Sequence, residues 1–182
     1  MKKIILLMLS FALLLSAAAV SFADDEYNSQ GQSVSELIKQ RQVGFWIEGT
    51  QFGDMILGAR AKMQVIYMDK DLSTSIARDK FVPEWLTDMA QYWRYSTLKK
   101  KVFVAYLETN KPMNFDYTKL SVGGYLLQKD DILSPSMTNP FGDVASGEKA
   151  SFAFTVPASV LKSKKEIKIS YGDDFVIWKI VK

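Results

Sequence analysis

Histidine and cysteine are both missing from this 182-residue sequence, and that limits the chemistry open to its side chains. A Ser-His-Asp triad, an imidazole base and a thiol nucleophile each need one of these residues, as does a zinc site built on them. Any catalysis would have to use carboxylates, lysine or tyrosine. We therefore expect a protein that is not an enzyme, with no catalytic residue, no metal and no cofactor.

The segment from Asp69 to Lys80 begins like a calcium-binding loop, with Asp71 and Ser73 at the next ligand positions. An EF-hand loop needs glycine at its sixth position and glutamate at its twelfth, where this chain has Thr74 and Lys80. The pattern favours a polar, solvated loop over residues 69–80. A looser calcium site at Asp69 and Asp71 stays open as an alternative.

Two adjacent carboxylate pairs, Asp130–Asp131 and Asp173–Asp174, lie in predicted turns. Adjacent side chains on a strand point to opposite faces, whereas a glycosidase needs two carboxylates about 5–10 Å apart across a cleft. Ser159 and Lys162 have the S-x-x-K spacing of penicillin-interacting enzymes, but the companion KTG and SDN motifs are missing. A carboxylate-based envelope hydrolase is thus the less favoured alternative.

The stretch "PEWLTDMAQYWRYS" (83–96) carries two tryptophans and two tyrosines. Pro83 suits a first helical turn, and Glu84 suits the positive end of a helix. At 100° per residue, one apolar arc collects Val82, Trp85, Leu86, Met89, Ala90, Tyr92 and Trp93. The pattern predicts a short amphipathic helix that packs on the rest of the domain, with Trp93 in the core.

Three aromatic residues of this stretch fall at or beyond the edge of the apolar arc. Trp85 and Tyr92 lie at its margin, and Tyr95 lies on the polar side or past the helix end. Large rigid rings give contact area at low entropic cost, which suits protein, peptide or carbohydrate partners. We predict Trp85, Tyr92 and Tyr95 as the binding residues.

Short strands make up most of the remaining pattern. "AKMQVIYM" (61–68) alternates, "KVFVAYLE" (101–108) is apolar on both faces like a central strand, and "SFAFTVP" (151–157) places Phe152, Phe154 and Val156 on one face. Residues 166–182 indicate a hairpin that turns at 172–174, and Gly123-Gly124 indicates a bulge or a close backbone approach. The whole predicts an all-β fold with minor helix, an antiparallel sandwich.

The N-terminus has the features of an export signal. Lys2 and Lys3 precede an apolar run from Ile4 to Val20, and Ser21-Phe22-Ala23 fits small-x-small cleavage. We expect a signal peptide at 1–23, a flexible segment at 24–35 and one domain at 36–182, so that the protein is periplasmic or secreted with no stable membrane span. Ser33 and Glu36 have capping-box spacing, which predicts a short helix after them.

Removal of the leader changes the charge balance. Lys2 and Lys3 leave with it, so 21 basic and 20 acidic residues remain, a net charge of about +1. A near-neutral chain offers no electrostatic case for nucleic acid.

Three segments of the second half resemble the immunoglobulin-like domains of bacterial lipoproteins and secreted antigens. They are "KVFVAYLETNKP", "VASGEKASFAFTVPASV" and "IKISYGDDFVIWKI". The resemblance implies an immunoglobulin-like β-sandwich outside the cytoplasm, in a class of domains that are mostly accessory or of unknown function. It implies no catalytic residue.

These observations predict an exported, non-enzymatic accessory protein that binds another protein or an envelope component. The alternative is a carrier of a small apolar ligand, with a cavity beneath the helix lined by Met63, Met89, Phe103 and Tyr125.

The cleavage site is directly testable. Mature protein recovered from cells should begin at Asp24, and Ala23→Leu should block its release because the peptidase needs a small residue there. Phe22→Leu is the matched control, since the middle position is unrestricted, and it should still be processed. Intact-mass measurement decides the point, and a wild-type chain that keeps residues 1–23 would contradict the prediction.

Overall fold

The computed structural model describes residues 31–133 and 141–180, and there the chain is mostly β with antiparallel sheets and three α-helices. The helices are α1 (Val34–Arg41), α2 (Lys70–Arg78) and α3 (Glu84–Ala90), and α3 continues into a 3₁₀ turn at Gln91–Tyr95. The strands are β1 (Gln42–Ile47), β2 (Thr50–Phe52), β3 (Met55–Leu57), β4 (Ala61–Met68), β5 (Lys100–Thr109), β6 (Met113–Phe115), β7 (Leu120–Val122), β8 (Tyr125–Leu126), β9 (Gly142–Val144), β10 (Lys149–Pro157), β11 (Glu166–Tyr171) and β12 (Asp174–Lys179). The proposed signal peptide and most of segment 24–35 lie outside the described residues.

Two four-stranded sheets form the centre of the molecule. Sheet I has the order β1-β4-β5-β10 and sheet II the order β12-β11-β7-β8. The two remaining pairs, β2 with β3 and β6 with β9, are short. Every strand pair in the described residues is antiparallel, as the sequence predicted.

The inner faces of the two sheets form one apolar cluster. Sheet I contributes Met63 and Val65 from β4, Phe103 from β5, and the predicted inward set of β10. Sheet II contributes Ile167, Ile169 and Trp178. The alternation expected for residues 61–68 and 151–157 is therefore confirmed, and it arises because successive side chains on a strand point to opposite faces.

The outer face of sheet I packs against the helices in a second cluster. Ile66 and Met68 of β4, with Val102 and Val104 of β5, are fully buried there. The helices contribute Val34, Leu37, Leu72, Ile76, Leu86, Met89 and Ala90. Strand β5 is thus buried on both faces, which confirms it as a central strand of a covered sheet.

The predicted loop at residues 69–80 was wrong, because most of it is helix α2. Asp69 is the N-cap and accepts the Leu72 N–H at 2.9 Å. Leu72 and Ile76, four residues apart, face the sheet and are fully buried. Only three of the nine residues are apolar (Leu72, Ile76 and Ala77), and a helix this short is marginal on its own, so tertiary burial decided the conformation.

The prediction of a β-bulge at Gly123-Gly124 was also wrong. The pair is the two-residue turn of the β7–β8 hairpin, with positive φ at both positions (60° and 88°), as this type of turn requires. The alternative prediction, a close approach of the backbone to a neighbouring residue, is confirmed at Gly123. A side chain at this position would collide with Val160.

The predicted capping box at the start of α1 is confirmed. The Ser33 hydroxyl accepts the Glu36 N–H at 3.3 Å, and the Glu36 carboxylate accepts the Ser33 N–H at 3.0 Å. None of the helices in the described residues is both long enough and apolar enough to cross a membrane.

The burial of α2 predicts a large effect of Leu72→Ala. Loss of a fully buried leucine should lower the free energy of unfolding by about 2–5 kcal/mol. Lys70→Ala, on the exposed side of the same helix, should change it by less than about 0.5 kcal/mol. Urea unfolding measures both, and equal small effects would mean that the segment does not pack as described.

Candidate binding surface

The structure divides the predicted aromatic group into two pairs. The Trp85 ring stacks on Tyr106 of β5, with centroids 4.4 Å apart and planes 25° apart. Tyr92 stacks on Tyr95, with centroids 6.1 Å apart. Trp85 and Tyr92 are half-buried, and Tyr95 is 52% exposed, as its position beyond the arc predicted.

The predicted burial of Trp93 in the core was wrong. Trp93 packs at the edge of the helix-covered cluster but is only half-buried, whereas the sequence predicted it in the core. The α-helix ends at Ala90, and residues 91–95 form a 3₁₀ turn. A 3₁₀ turn rotates about 120° per residue, so an arc drawn at 100° per residue drifts off the buried side.

Strand register shows what lies beside Trp85. Directly opposed residues share a face, so the outer face of sheet I is a series of rows across the strands. The rows through Ile66 and Met68 are covered by helices. Two further rows are exposed or half-buried, and we call them the sheet platform: Gly44, Gln64, Tyr106, Ser151 in one row and Trp46, Lys62, Glu108, Lys149 in the next.

The platform combines aromatic faces with charged groups. Trp46 is 37% exposed, and the Lys62 ammonium lies 5.7 Å from its ring centroid. The Lys149 ammonium pairs with the Glu108 carboxylate at 3.2 Å, and this hydrogen bond raises the pKa of Lys149. With strands spaced about 4.8 Å apart, the four strands give a surface roughly 15 Å wide.

Two polar side chains of the platform are uncommitted. The Gln64 amide and the Ser151 hydroxyl make no hydrogen bond to other described residues, and both residues are half-buried. Amides and hydroxyls can each donate and accept. The platform therefore offers unused hydrogen-bonding groups between aromatic rings.

Sequence reasoning missed Trp46, Gln64, Tyr106 and Ser151 as neighbours. One usable sign was present in β4, where one face changes from polar (Lys62, Gln64) to apolar (Ile66, Met68) along the strand. That change marks the line at which the helical cover ends. The cross-strand partners themselves depend on register, which here links residues from 16 (Trp46 and Lys62) to 46 (Lys62 and Glu108) positions apart.

Two of the acidic residues singled out in the sequence, Asp69 and Asp174, have structural roles. Asp69 bonds the Arg41 guanidinium at 2.9 Å with one oxygen and caps α2 with the other, so it is a helix cap and not part of a solvated loop. Asp174 accepts the Glu48 N–H at 2.7 Å and so connects sheet II to the end of β1. In the part of the chain that the structure describes, no three acidic side chains are grouped as a metal site.

Asp131 is buried and acts as a hydrogen-bond hub. One carboxylate oxygen accepts the Tyr125 hydroxyl at 2.7 Å and the Gln128 N–H at 3.0 Å. The other faces the Thr155 hydroxyl at 3.3 Å and the Lys100 ammonium at 3.5 Å. The hydrogen bond to Asp131 raises the pKa of Tyr125 to about 12. Asp131 thus fastens the segment after β8 to strands β5 and β10, and its exposed neighbour Asp130 takes no part.

The cavity predicted beneath the helix is not formed by the residues named for it. Met63 and Phe103 lie between the two sheets, whereas Met89 lies under the helices. Tyr125 packs at the edge of the inter-sheet cluster. Sheet I separates these side chains, so they cannot line one cavity.

Asp131→Ala should lower the free energy of unfolding by about 1–3 kcal/mol, because the buried Thr155 hydroxyl and the half-buried Tyr125 hydroxyl lose their acceptor. Asp130→Ala, the adjacent exposed carboxylate, should have almost no effect. Chemical denaturation compares the unfolding free energies of the two variants. A small effect at both positions would contradict the structural role of Asp131.

Alkaline pH should weaken the same network. The folded pKa of Tyr125 lies above its ordinary value, so its contribution is complete below about pH 10 and lost as pH rises toward 12. Tyr125→Phe has no proton to lose and should show a shallower decline of unfolding free energy over this range. Identical pH profiles for the two proteins would contradict the prediction.

Comparisons with protein-family models, with curated proteins and with solved structures find no match to this chain. No relative therefore supplies a family or an activity by likeness. A function has to be inferred from the residues of the chain itself.

Proposed function

We propose that this protein is an exported, non-enzymatic binding protein whose ligand is an envelope component, a glycan chain that lies across the sheet platform. One observation carries the proposal. Half of the outer face of sheet I lies beyond the helical cover, apart from the Trp85 ring that stacks on Tyr106, and that half holds aromatic rings and uncommitted hydrogen-bonding groups instead of aliphatic residues.

The composition of the platform favours a glycan. A sugar ring has an apolar C–H face that stacks on aromatic rings such as Trp46 and the Trp85–Tyr106 pair, and hydroxyls that suit Gln64 and Ser151. The central part of a protein interface is depleted in charged residues, whereas three of the eight platform residues are charged.

We also propose that the sandwich is immunoglobulin-like. In that fold one sheet contains strands A, B and E and the other contains G, F, C and C′. The orders β4-β5-β10 and β12-β11-β7-β8 correspond to these two series in sequence and in pairing. Strand β1 would then be an addition beside strand A, and α2 and α3 an insertion between A and B.

Binding of another protein is the second candidate, favoured by exposed apolar residues that flank the aromatic stretch in sequence. Phe81 and Leu98, on either side of the stretch that contains α3, are 92% and 96% exposed. Such residues supply contact area when a partner covers them. A purified partner that binds wild type and not Tyr95→Ala would support this candidate.

The platform proposal is tested by filling its surface. Gly44 is exposed, and a Cβ there would have only ordinary contacts, the nearest being the Met63 carbonyl at 3.4 Å. Gly44→Tyr should fold normally, because glycine weakens a strand, yet its side chain would cover the platform. We expect at least a tenfold loss of affinity for the glycan that wild type selects from an array, and the same loss in sedimentation with isolated peptidoglycan if that is the ligand.

Lys179→Tyr is the matched control, since it adds the same ring to the exposed edge of sheet II. It should bind like wild type, as should Tyr95→Ala, while Tyr106→Ala should lose binding. Wild type that binds no glycan on the array, or Gly44→Tyr that binds as well as wild type, would refute the proposal. Loss of glycan binding in Tyr95→Ala would move the site away from the platform.

A further inference from the structure

An open groove of about 790 Å³ lies at the mouth between the two sheets. It is at the end of sheet I opposite to the platform, where β4 ends and β5 begins. The residues that line it are Tyr67, Leu98, Lys99, Lys101, Ala158, Ser159, Leu161, Lys162, Trp178 and Ile180. Its volume is within the range of small-molecule sites, roughly 300–1,000 Å³.

The groove has an apolar floor that is held in place. Trp178 is buried at 4% exposure, and its indole N–H donates to the Gln40 carbonyl at 3.1 Å. The Trp178 ring meets Phe103 edge-on and lies 5.6 Å from Tyr67. Leu161 and Ile180 supply aliphatic walls. A rigid apolar floor that is open to solvent suits an aliphatic chain.

The rim of the groove carries three lysines and no acidic residue. Lys101 occupies an inward position of β5, on the same face as Phe103, Ala105 and Leu107 of the core. Lys99, Lys101 and Lys162 form no ion pair with other described residues, whereas their neighbour Lys100 pairs with Asp131. These three ammonium groups are therefore free of ion-pair partners among the described residues and can pair with an anion in the groove.

A hydroxyl group adds a neutral donor. Tyr67 lines the groove, and its hydroxyl makes no hydrogen bond to other described residues. A phenol is protonated at neutral pH, and burial, followed by the nearby Asp69 carboxylate, raises the pKa of Tyr67 further, so this hydroxyl can donate to an anion. Ser159, at the exposed rim, has a second hydroxyl.

We propose that the groove binds a single-chain lipid phosphate, with the aliphatic chain along Trp178, Leu161 and Ile180 and the phosphate among Lys99, Lys101 and Lys162. A phosphate monoester carries about −1.5 to −2 charge at neutral pH, which three lysines match better than they match a carboxylate. Lysine binds phosphate as a point charge, so no arginine fork is required. This site is independent of the platform and of any glycan.

The experiment uses dodecyl phosphate below its micelle concentration, measured by titration calorimetry on the purified mature chain. Ser159→Glu places an anion at the rim and should weaken binding at least tenfold, while the uncharged Ser159→Gln should bind like wild type. Lys101→Gln should also weaken binding several-fold, and Lys165→Gln, an exposed lysine outside the groove, should not. Thermal unfolding of each variant checks that the fold is retained.

Three further ligands test whether both the phosphate and the aliphatic chain are needed, and one variant tests whether the groove is independent of the platform. Inorganic phosphate and the uncharged dodecyl maltoside should each bind at least tenfold more weakly than dodecyl phosphate, and dodecanoate should bind more weakly as well. Equal affinity for any of the three would overturn the proposal, as would equal affinity of Ser159→Glu and Ser159→Gln. Gly44→Tyr should keep its affinity for dodecyl phosphate, so failure of the platform and failure of the groove are distinguishable.

Discussion

The burial of one part of sheet I on both faces is the constraint on which the rest of the structure depends. Strand β5 carries Phe103 toward sheet II and Val102 and Val104 toward the helices, and all three are buried. A strand that is apolar on both sides needs two covers, because either face left in water would lose the hydrophobic stabilisation of its residues. Sheet II supplies one cover, and α1, α2 and α3 supply the other.

The two covers differ in size, and the mismatch creates the surfaces available for function. Strand β5 has 10 residues, about 33 Å, whereas the helices have 7 to 9 residues, about 11–14 Å. Helices this short cover only part of the outer face. Past their edge the strands present rings, amides and charges as the platform, and at the opposite end the mouth between the sheets opens into the lysine-rimmed groove.

Acidic side chains hold these layers together in a chain that has no cysteine to cross-link. Asp69 joins α2 to Arg41 at the end of α1, Asp131 joins the segment after β8 to sheet I, and Asp174 joins the edge of sheet II to the backbone after β1. Each carboxylate accepts at least one backbone or side-chain hydrogen bond between elements distant in sequence. Three of the six aspartates that looked available for chemistry, Asp69, Asp131 and Asp174, are thus committed to structure.

Local pattern was enough to predict the strands at 61–68 and 151–157, the two-faced central strand, the capping box of α1 and the exposure of Tyr95, because alternation, hydropathy and capping depend on residues close in sequence. The composition excluded chemistry that needs histidine or cysteine. Only the tertiary structure made residues 70–78 a helix, left Trp93 half-buried, paired Trp85 with Tyr106 and grouped the platform. Those outcomes depend on strand register and on which face a helix covers, and both are set by contacts between residues far apart along the chain.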